Sequence, residues 1–541
     1  MAANQKKKKH AYVRPETGSA ANFTMIWVVK AYVFLMFALY PLYYQDKYYN
    51  MGQAKWEFFR LISSIFGVLC LIILIWYLGC FIAAEKFVPM IKEFASKLNL
   101  TDCFVLAYFV ITTISTIATP YKENVFFGYE GWYMGYVAQV GFVLIYFLVS
   151  RFWRWDSIHL FIFLMTAFVV FFFGVIMKFH IDPMEMYVDL DEQYVENFIS
   201  TLGQATWYSS YMCILYPLGV IAYWRSEKLW QRIAFGIFTV MSFMTVVTQN
   251  SDSAYMAIMG VFFLLFWISF ESNTSFLRFL EVMIMAFGAF KFMGLMQKTF
   301  AEHMVWIDRL SIFMSQSTFT LVLLIVVVAL YLVMRFWVFK KTEFQISSIK
   351  MLRCIALVLV IAGIVGGVIY IYLNSTGKLP ENLASDNNYL FFNDRWGNSR
   401  GLSWKCAVGT FAQENLWLKL FGAGPDSFAE SVYTYFATEL NERWGEGTTL
   451  TCAHNEWLNA VINVGILGLI AYLGSFISAF RDCMKKAKEY PELFGVAISI
   501  VAYILHNFFC YQQIICTPTI FILMGMAQSV MRFGYGDETQ E

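Results

Sequence analysis

Apolar runs of about twenty residues, each closed by a polar or charged break, follow one another along most of this chain. A helix rises about 1.5 Å per residue, so a run of that length crosses the roughly 30 Å hydrocarbon layer of a bilayer. On that criterion the sequence predicts about fourteen transmembrane helices: Phe23–Tyr44, Leu61–Ala84, Thr101–Thr119, Trp132–Ser150, Ser157–Phe179, Tyr208–Trp224, Ile233–Gln249, Ala254–Phe270, Phe279–Gln297, Thr318–Trp337, Cys354–Leu373, Val461–Phe480, Leu493–Cys510 and Pro518–Met531. The last two are short. One long polar stretch, 374–459, interrupts the rhythm.

Composition agrees with a membrane protein. Of 541 residues, 59% are hydrophobic and only 14% charged, against about one-quarter charged in soluble proteins. The net charge is +1, and no nucleic-acid partner is expected. The placement of charge is more informative. Lys6–Lys9, Lys86/Lys92/Lys97, Arg151/Arg154, Arg225/Lys228/Arg232, Lys340/Lys341/Lys350 and Arg481/Lys485/Lys486/Lys488 fall in alternate loops. Basic loops stay in the cytoplasm, so both termini are expected inside and the 374–459 loop outside. The acidic segment from Asp182 to Glu196 is a second outer loop.

The expected fold is therefore all-α, a polytopic membrane protein with one large extracytoplasmic helical loop. Its parts are a basic cytoplasmic tail over 1–21 and an N-terminal transmembrane bundle of about eleven spans over 22–373. The extracytoplasmic loop over 374–459 follows, then C-terminal transmembrane helices over 460–532 and a cytoplasmic tail over 533–541. No cleavable signal peptide is expected, because Lys6–Lys9 lead into a long first span without a small-residue cleavage pattern. No internal repeat stands out, which weighs against a transporter built from inverted halves. The ten cysteines show no C-x-x-C or Cys/His metal spacing, so no metal site is expected. Cys406 and Cys452 share the loop, and no disulfide is expected between them.

Inside the loop, Trp404, Val408, Phe411 and Leu418 recur at helical spacing and predict an amphipathic helix along the membrane surface. Gly424-Pro425-Asp426-Ser427 resembles a helix start with Pro425 at the first helical position. The following helix would carry Phe428, Val432, Phe436 and Leu440 on one face.

The loop also gathers chemistry. Arg395 and Arg400 flank a tryptophan, and guanidinium grips phosphate well because its planar fork stays charged. The plainer role is loop solubility, or pairing with Asp394 or Asp386. His454 precedes a span on the outer side, where an imidazole takes up a proton near neutral pH or donates to a phosphate oxygen. Its plainer role is an interfacial histidine bonded to backbone. Glu456 is a rival base, pointed elsewhere on its helix. Gly422-Ala423-Gly424 either presents amides to an anion or makes a tight turn, and a lone G-x-G favours the turn. Lys291 interrupts an apolar span and either faces a cavity or snorkels outward. Asp252 sits in a short outer turn as a functional group or a helix cap. Lys30 and Arg335 are read as snorkelling, and His506 as a packed histidine.

The sequence resembles the O-antigen ligase and O-antigen polymerase-like superfamily of bacterial membrane glycosyltransferases. The resemblance rests on Arg400-x-x-x-Trp404, then Phe421-Gly422-x-Gly424-Pro425-Asp426-x-Phe428, then Ala453-His454-Asn455-Glu456-x-Leu458, then Gly465-x-x-Gly468, in the family's order. Upstream, Ser200-Thr201-Leu202-Gly203-Gln204 followed by Tyr208 is similar to the family's Ser-Thr-x-Gly-Asn segment, with Gln204 in place of asparagine. Asp252 stands where many relatives carry an arginine, so one phosphate contact is absent or supplied elsewhere. The resemblance implies a GT-C-like membrane fold and an undecaprenyl-pyrophosphate-linked glycan donor. It implies a glycan, lipid or wall acceptor, and neither a nucleotide-sugar nor a cofactor. Arg400 and His454 become the catalytic candidates. Arg395, Gly422, Gly424, Glu456, Trp404 and Lys291 become substrate-binding candidates. A lipid-linked oligosaccharide flippase and a non-catalytic scaffold for envelope assembly are the rival functions.

Overall fold

The computed structural model describes residues 17–535. Most of the basic tail and the last residues of the C-terminal tail therefore lie outside the described residues. A helix underlies every expected span: Ser19–Ala38, Met51–Ala83, Leu100–Ala118, Tyr136–Phe152, Ser157–Met177, Ala205–Arg225, Leu229–Thr248, Asp252–Ser269, Asn273–Thr299, Thr318–Lys341, Met351–Ser375, Glu456–Lys486, Glu492–Asn507 and Thr517–Phe533. Ten of them are long and apolar enough to cross a membrane. Tyr136–Phe152 and Glu492–Asn507 are shorter apolar helices, and Ala205–Arg225 and Thr517–Phe533 complete the set. Apart from helices, the chain forms a small antiparallel hairpin that pairs Phe198 with Gln204 and Ile199 with Gly203.

Three of the four helices outside that group of ten are the most enclosed. Ala205–Arg225, Glu492–Asn507 and Thr517–Phe533 have almost every residue buried. The first two pack on each other, and Thr517–Phe533 packs on Tyr136–Phe152. A helix surrounded by protein keeps polar side chains when each finds a partner. Asn99 Nδ2 donates to Gln528 Oε1 at 2.6 Å, and Tyr503 shares a hydrogen bond with Thr517 at 2.9 Å. Thr318–Lys341 and Met351–Ser375 are the opposite case, with 6% and 0% of their apolar windows buried against protein. Their uninterrupted Leu, Ile and Val surface suits contact with lipid.

The loops divide between two ends. At one end Asp102 accepts from Arg151 and Arg532 at 2.9 and 2.6 Å, and Lys30 pairs with Asp156 at 2.9 Å. Glu281 joins Arg232 and Arg278 there, at 3.1 and 2.9 Å. These are the basic loops that the charge pattern grouped together. Lys30 is thus ion-paired, and Arg335 lies 3.8 Å from Glu281, where snorkelling was expected. The other end collects the hairpin, the 119–135 loop, the 508–516 turn and the long polar segment.

Candidate active site at the polar end

The long polar segment folds against the bundle as a small helical layer. Phe428–Trp444 forms the expected second helix, with Phe428, Val432 and Leu440 buried. It starts three residues later than the Pro425 pattern suggests, because Asp426 turns left-handed at φ 58°. Its buried face packs on Cys406 and Ala407. The preceding helix, Trp396–Gln413, buries Ser399, Ser403, Cys406, Ala407 and Thr410. Val408 points outward, and the expected helix through Leu418 is interrupted, because Leu418 belongs to a separate helix, Leu416–Phe421. Asn415 caps that short helix by accepting from Leu418 N at 3.0 Å. Cys406 and Cys452 are both free thiols.

The histidine motif is built from caps. Asn455 Oδ1 accepts from Trp457 N and Leu458 N at 2.9 and 3.1 Å and starts the Glu456–Lys486 helix. Asn459 Oδ1 accepts from Ala453 N at 2.8 Å. Glu456 Oε2 accepts from Gln512 N at 2.7 Å and ties the motif to the 508–516 turn. Glu456 is therefore buried and committed. His454 differs from these neighbours. It adopts φ 49°, its ring lies edge-on to Tyr511 at 5.3 Å, and it makes no side-chain hydrogen bond among the described residues. Burial lowers its imidazole to about 3, and the charge of Arg400 pushes the same way. Both causes favour the neutral ring.

Arg400 opens the regular part of its helix. The three residues before it, Gly397, Asn398 and Ser399, run left-handed at φ 56°, 61° and 69°. Arg400 NH1 bonds back to the Gly397 carbonyl at 3.3 Å, and no acidic residue pairs with it among the described residues. Asp394, a proposed partner, is taken by Lys405 at 2.7 Å. Arg395 is exposed and likewise free of an ion pair among the described residues. Trp404 fixes the distance between the two motifs. Its Nε1 donates to Ala453 O at 3.0 Å, and its ring stacks on Phe509 at 5.9 Å and lies 5.1 Å from Trp396. Trp457 packs edge-on against Phe508 at 5.0 Å.

The glycine motif is engaged by the backbone. Gly422 N donates to Leu418 O at 2.7 Å, Ala423 N to Ile462 O at 2.9 Å and Gly424 N to Asn463 O at 2.8 Å. All three amides are taken, which is the tight-turn role. A Cβ on Gly422 would strike the Asn463 and Val464 backbone, and one on Gly465 would strike Leu420 and Phe421. Gly465, at φ 73°, breaks the Glu456–Lys486 helix to make this crossing. Below it lies a polar cavity of ≈ 40 Å³ lined by Asp426, Glu456, Gln139, Asn463, Tyr511 and Gln512, among others. Burial pushes the Asp426 carboxyl up to about 6, although Tyr129 N and Met134 N donate to it at 2.7 and 3.2 Å.

Two upstream candidates reach this end of the molecule. Asp252 Oδ2 accepts from Tyr389 OH at 2.7 Å and so docks the polar segment on the bundle. Gln204 Oε1 accepts from Tyr511 OH at 3.2 Å, linking the Ser200–Gln204 hairpin to the ring that faces His454. Lys291 is engaged elsewhere, donating to Ser317 O at 3.1 Å. His506 is packed, as expected, with Nε2 2.7 Å from Ser209 Oγ. Tyr511 escaped the sequence reading. Its one signal was the polar break Tyr511-Gln512-Gln513 between two apolar runs.

These features describe a multi-pass helical membrane protein with a polar, cation-bearing site at one end of its bundle. Residues 303–473 match the family described as O-antigen ligase, Wzy_C. The match spans the peripheral helices, the whole polar segment and the upper part of the Glu456–Lys486 helix. No curated protein matches the chain. The chain is thus similar, over part of its length, to O-antigen ligase and polymerase proteins.

Proposed function

We propose that this protein is a membrane glycosyltransferase, a ligase or polymerase of cell-surface polysaccharide. It moves a glycan from undecaprenyl-pyrophosphate to a hydroxyl acceptor on the outer face of a bacterial plasma membrane. The observation that carries this reading is the Trp404–Ala453 bond at 3.0 Å, which brings together Arg400, with no acidic partner, and His454, with no side-chain hydrogen bond, among the described residues.

The acceptor oxygen attacks the anomeric carbon while the bond from that carbon to the phosphate oxygen breaks. The bonding electrons go to the diphosphate, and Arg400 stabilises the charge that develops there. Arg395, exposed one turn earlier, meets the outer phosphate. The acceptor proton passes to His454. The imidazole alone is a weak base, because it sits half-buried near the Arg400 cation. A bound diphosphate cancels that cation and strengthens the base. The donor thereby prepares the group that its own reaction requires.

The test is to incubate the purified protein with a lipid-pyrophosphate glycan and acceptor and weigh the products. A ladder marks polymerisation and a single addition marks ligation. His454→Ala and Arg400→Ala are expected to insert normally and form neither. Normal turnover by both variants, or cytosolic labelling of positions 400 and 454, removes this reading.

A further inference from the structure

We infer that Arg443 is a positioning residue for Arg400: it clamps the left-handed turn 397–399 and thereby sets where the Arg400 guanidinium meets the donor diphosphate. The inference rests on the reading of Arg400 as the diphosphate group. Ser399 is 3% exposed, and its Oγ accepts from both Arg443 Nε at 2.8 Å and Arg443 NH2 at 2.6 Å. An arginine fork ordinarily takes a carboxylate, yet Arg443 has no acidic partner among the described residues. Both prongs are spent on one serine hydroxyl.

That hydroxyl belongs to a strained segment. L-residues avoid the left-handed region, and only glycine enters it freely. Here Asn398 and Ser399 follow Gly397 into it, at φ 61° and 69° after 56°. Such a run persists only where its surroundings hold it. The turn also touches the reactive side chain directly, through the bond from Arg400 NH1 to the Gly397 carbonyl. Arg443 itself is exposed and stands in the last turn of Phe428–Trp444, beyond a break at Phe436 (φ −131°), with Leu440 fully buried one turn before it. The link therefore runs from the turn anchored by Leu440 through Arg443 and Ser399 to the base of the Arg400 side chain.

The experiment measures kcat and KM for a lipid-pyrophosphate glycan in Arg443→Ala, Arg443→Lys, Ser399→Gly and the Ser399→Gly/Arg443→Ala double variant, with melting temperatures beside them. Arg443→Ala is expected to lose roughly 100-fold in kcat/KM, the scale of a 1 Å misplacement. The loss should fall mainly on kcat, because the diphosphate charge grows in the transition state. Arg443→Lys keeps the charge and one donor and should lose less. Glycine occupies the left-handed region without a clamp, so Ser399→Gly should restore roughly ten-fold of the activity lost in Arg443→Ala. Unchanged kcat/KM in Arg443→Ala, or a double variant no better than Arg443→Ala, overturns the clamp while leaving the glycosyltransferase reading in place. Normal turnover by Arg400→Ala in the same assay removes both.

Discussion

The Trp404 indole Nε1 donates to the Ala453 carbonyl oxygen at 3.0 Å, and this bond joins the helix that begins with Arg400 to the turn that presents His454. Packing of Cys406 and Ala407 in one cluster with Ala453 and Ile462 supports the same junction. Trp404→Phe keeps most of the ring stack on Phe509 but removes the donor. It should cost about 1 kcal/mol of stability and lower transfer roughly ten-fold. A melting curve and an initial-rate assay check the two effects separately. A variant with full activity would show that the two motifs are aligned by something else.

His454 should behave as a histidine that stays neutral in acid. Its imidazole is lowered to about 3 by burial and then by Arg400. Protonation of this ring should therefore not reduce kcat/KM, which reports the free protein, between pH 5 and 7. Arg400→Gln removes the neighbouring charge and should raise the imidazole, while desolvation, the larger cause, still holds it below its ordinary range. The pH dependence of diethyl pyrocarbonate modification, corrected with His454→Ala, follows this shift. An unchanged profile in Arg400→Gln would disconnect the two residues.

Glu414 should make stability depend on pH. It is 4% exposed, and burial pushes its carboxyl up to about 7, with Lys419 opposing. The folded protein thus holds this proton more tightly than the unfolded chain. Stability falls as pH rises from the ordinary glutamate range to about 7, and the full penalty remains above it. Glu414→Gln should remove a penalty of about 3 kcal/mol at pH 8 and change little at pH 4. Parallel melting-temperature profiles for the two proteins would contradict this assignment.

Gly422 and Gly465 should be intolerant of any side chain. Both are left-handed, at φ 75° and 73°, and a Cβ on either enters the other's strand of backbone. Gly465→Ala combines about 1–2 kcal/mol of backbone strain with a clash that only a main-chain shift relieves. The expected outcome is a sharp drop in yield of folded protein from membranes. Gly363→Ala, in a helix with nothing within 4 Å of that position, serves as the control and should fold normally.

The helices were legible in the sequence because lipid and protein interiors select the same apolar runs. Their neighbours were not. Pro518–Met531 reads as a short span, and nothing in its sequence tells that Thr517–Phe533 is enclosed by protein along most of its length. Periodicity also fails to show which face meets protein: Val408 keeps helical spacing with Trp404 yet is exposed, while Cys406 and Ala407 of the same helix are buried. The candidate site residues His454 and Arg400 stand out by residue type. Their supports do not: Arg443 is one more charged residue near a helix end, and Gln204 meets Tyr511 only through the fold. Long-range hydrogen bonds leave no local pattern.

The break at Gly465 divides one helix into an upper stub and a lower shaft. The stub is pinned through Asn455, Asn459 and Glu456, and the shaft is held along Leu100–Ala118 and Glu492–Asn507 with Gly468, Tyr472, Phe476 and Cys483 buried. Two firmly seated pieces therefore meet at an angle that an unbroken helix would not allow, and the residues above the break take their direction from the polar segment rather than from the span.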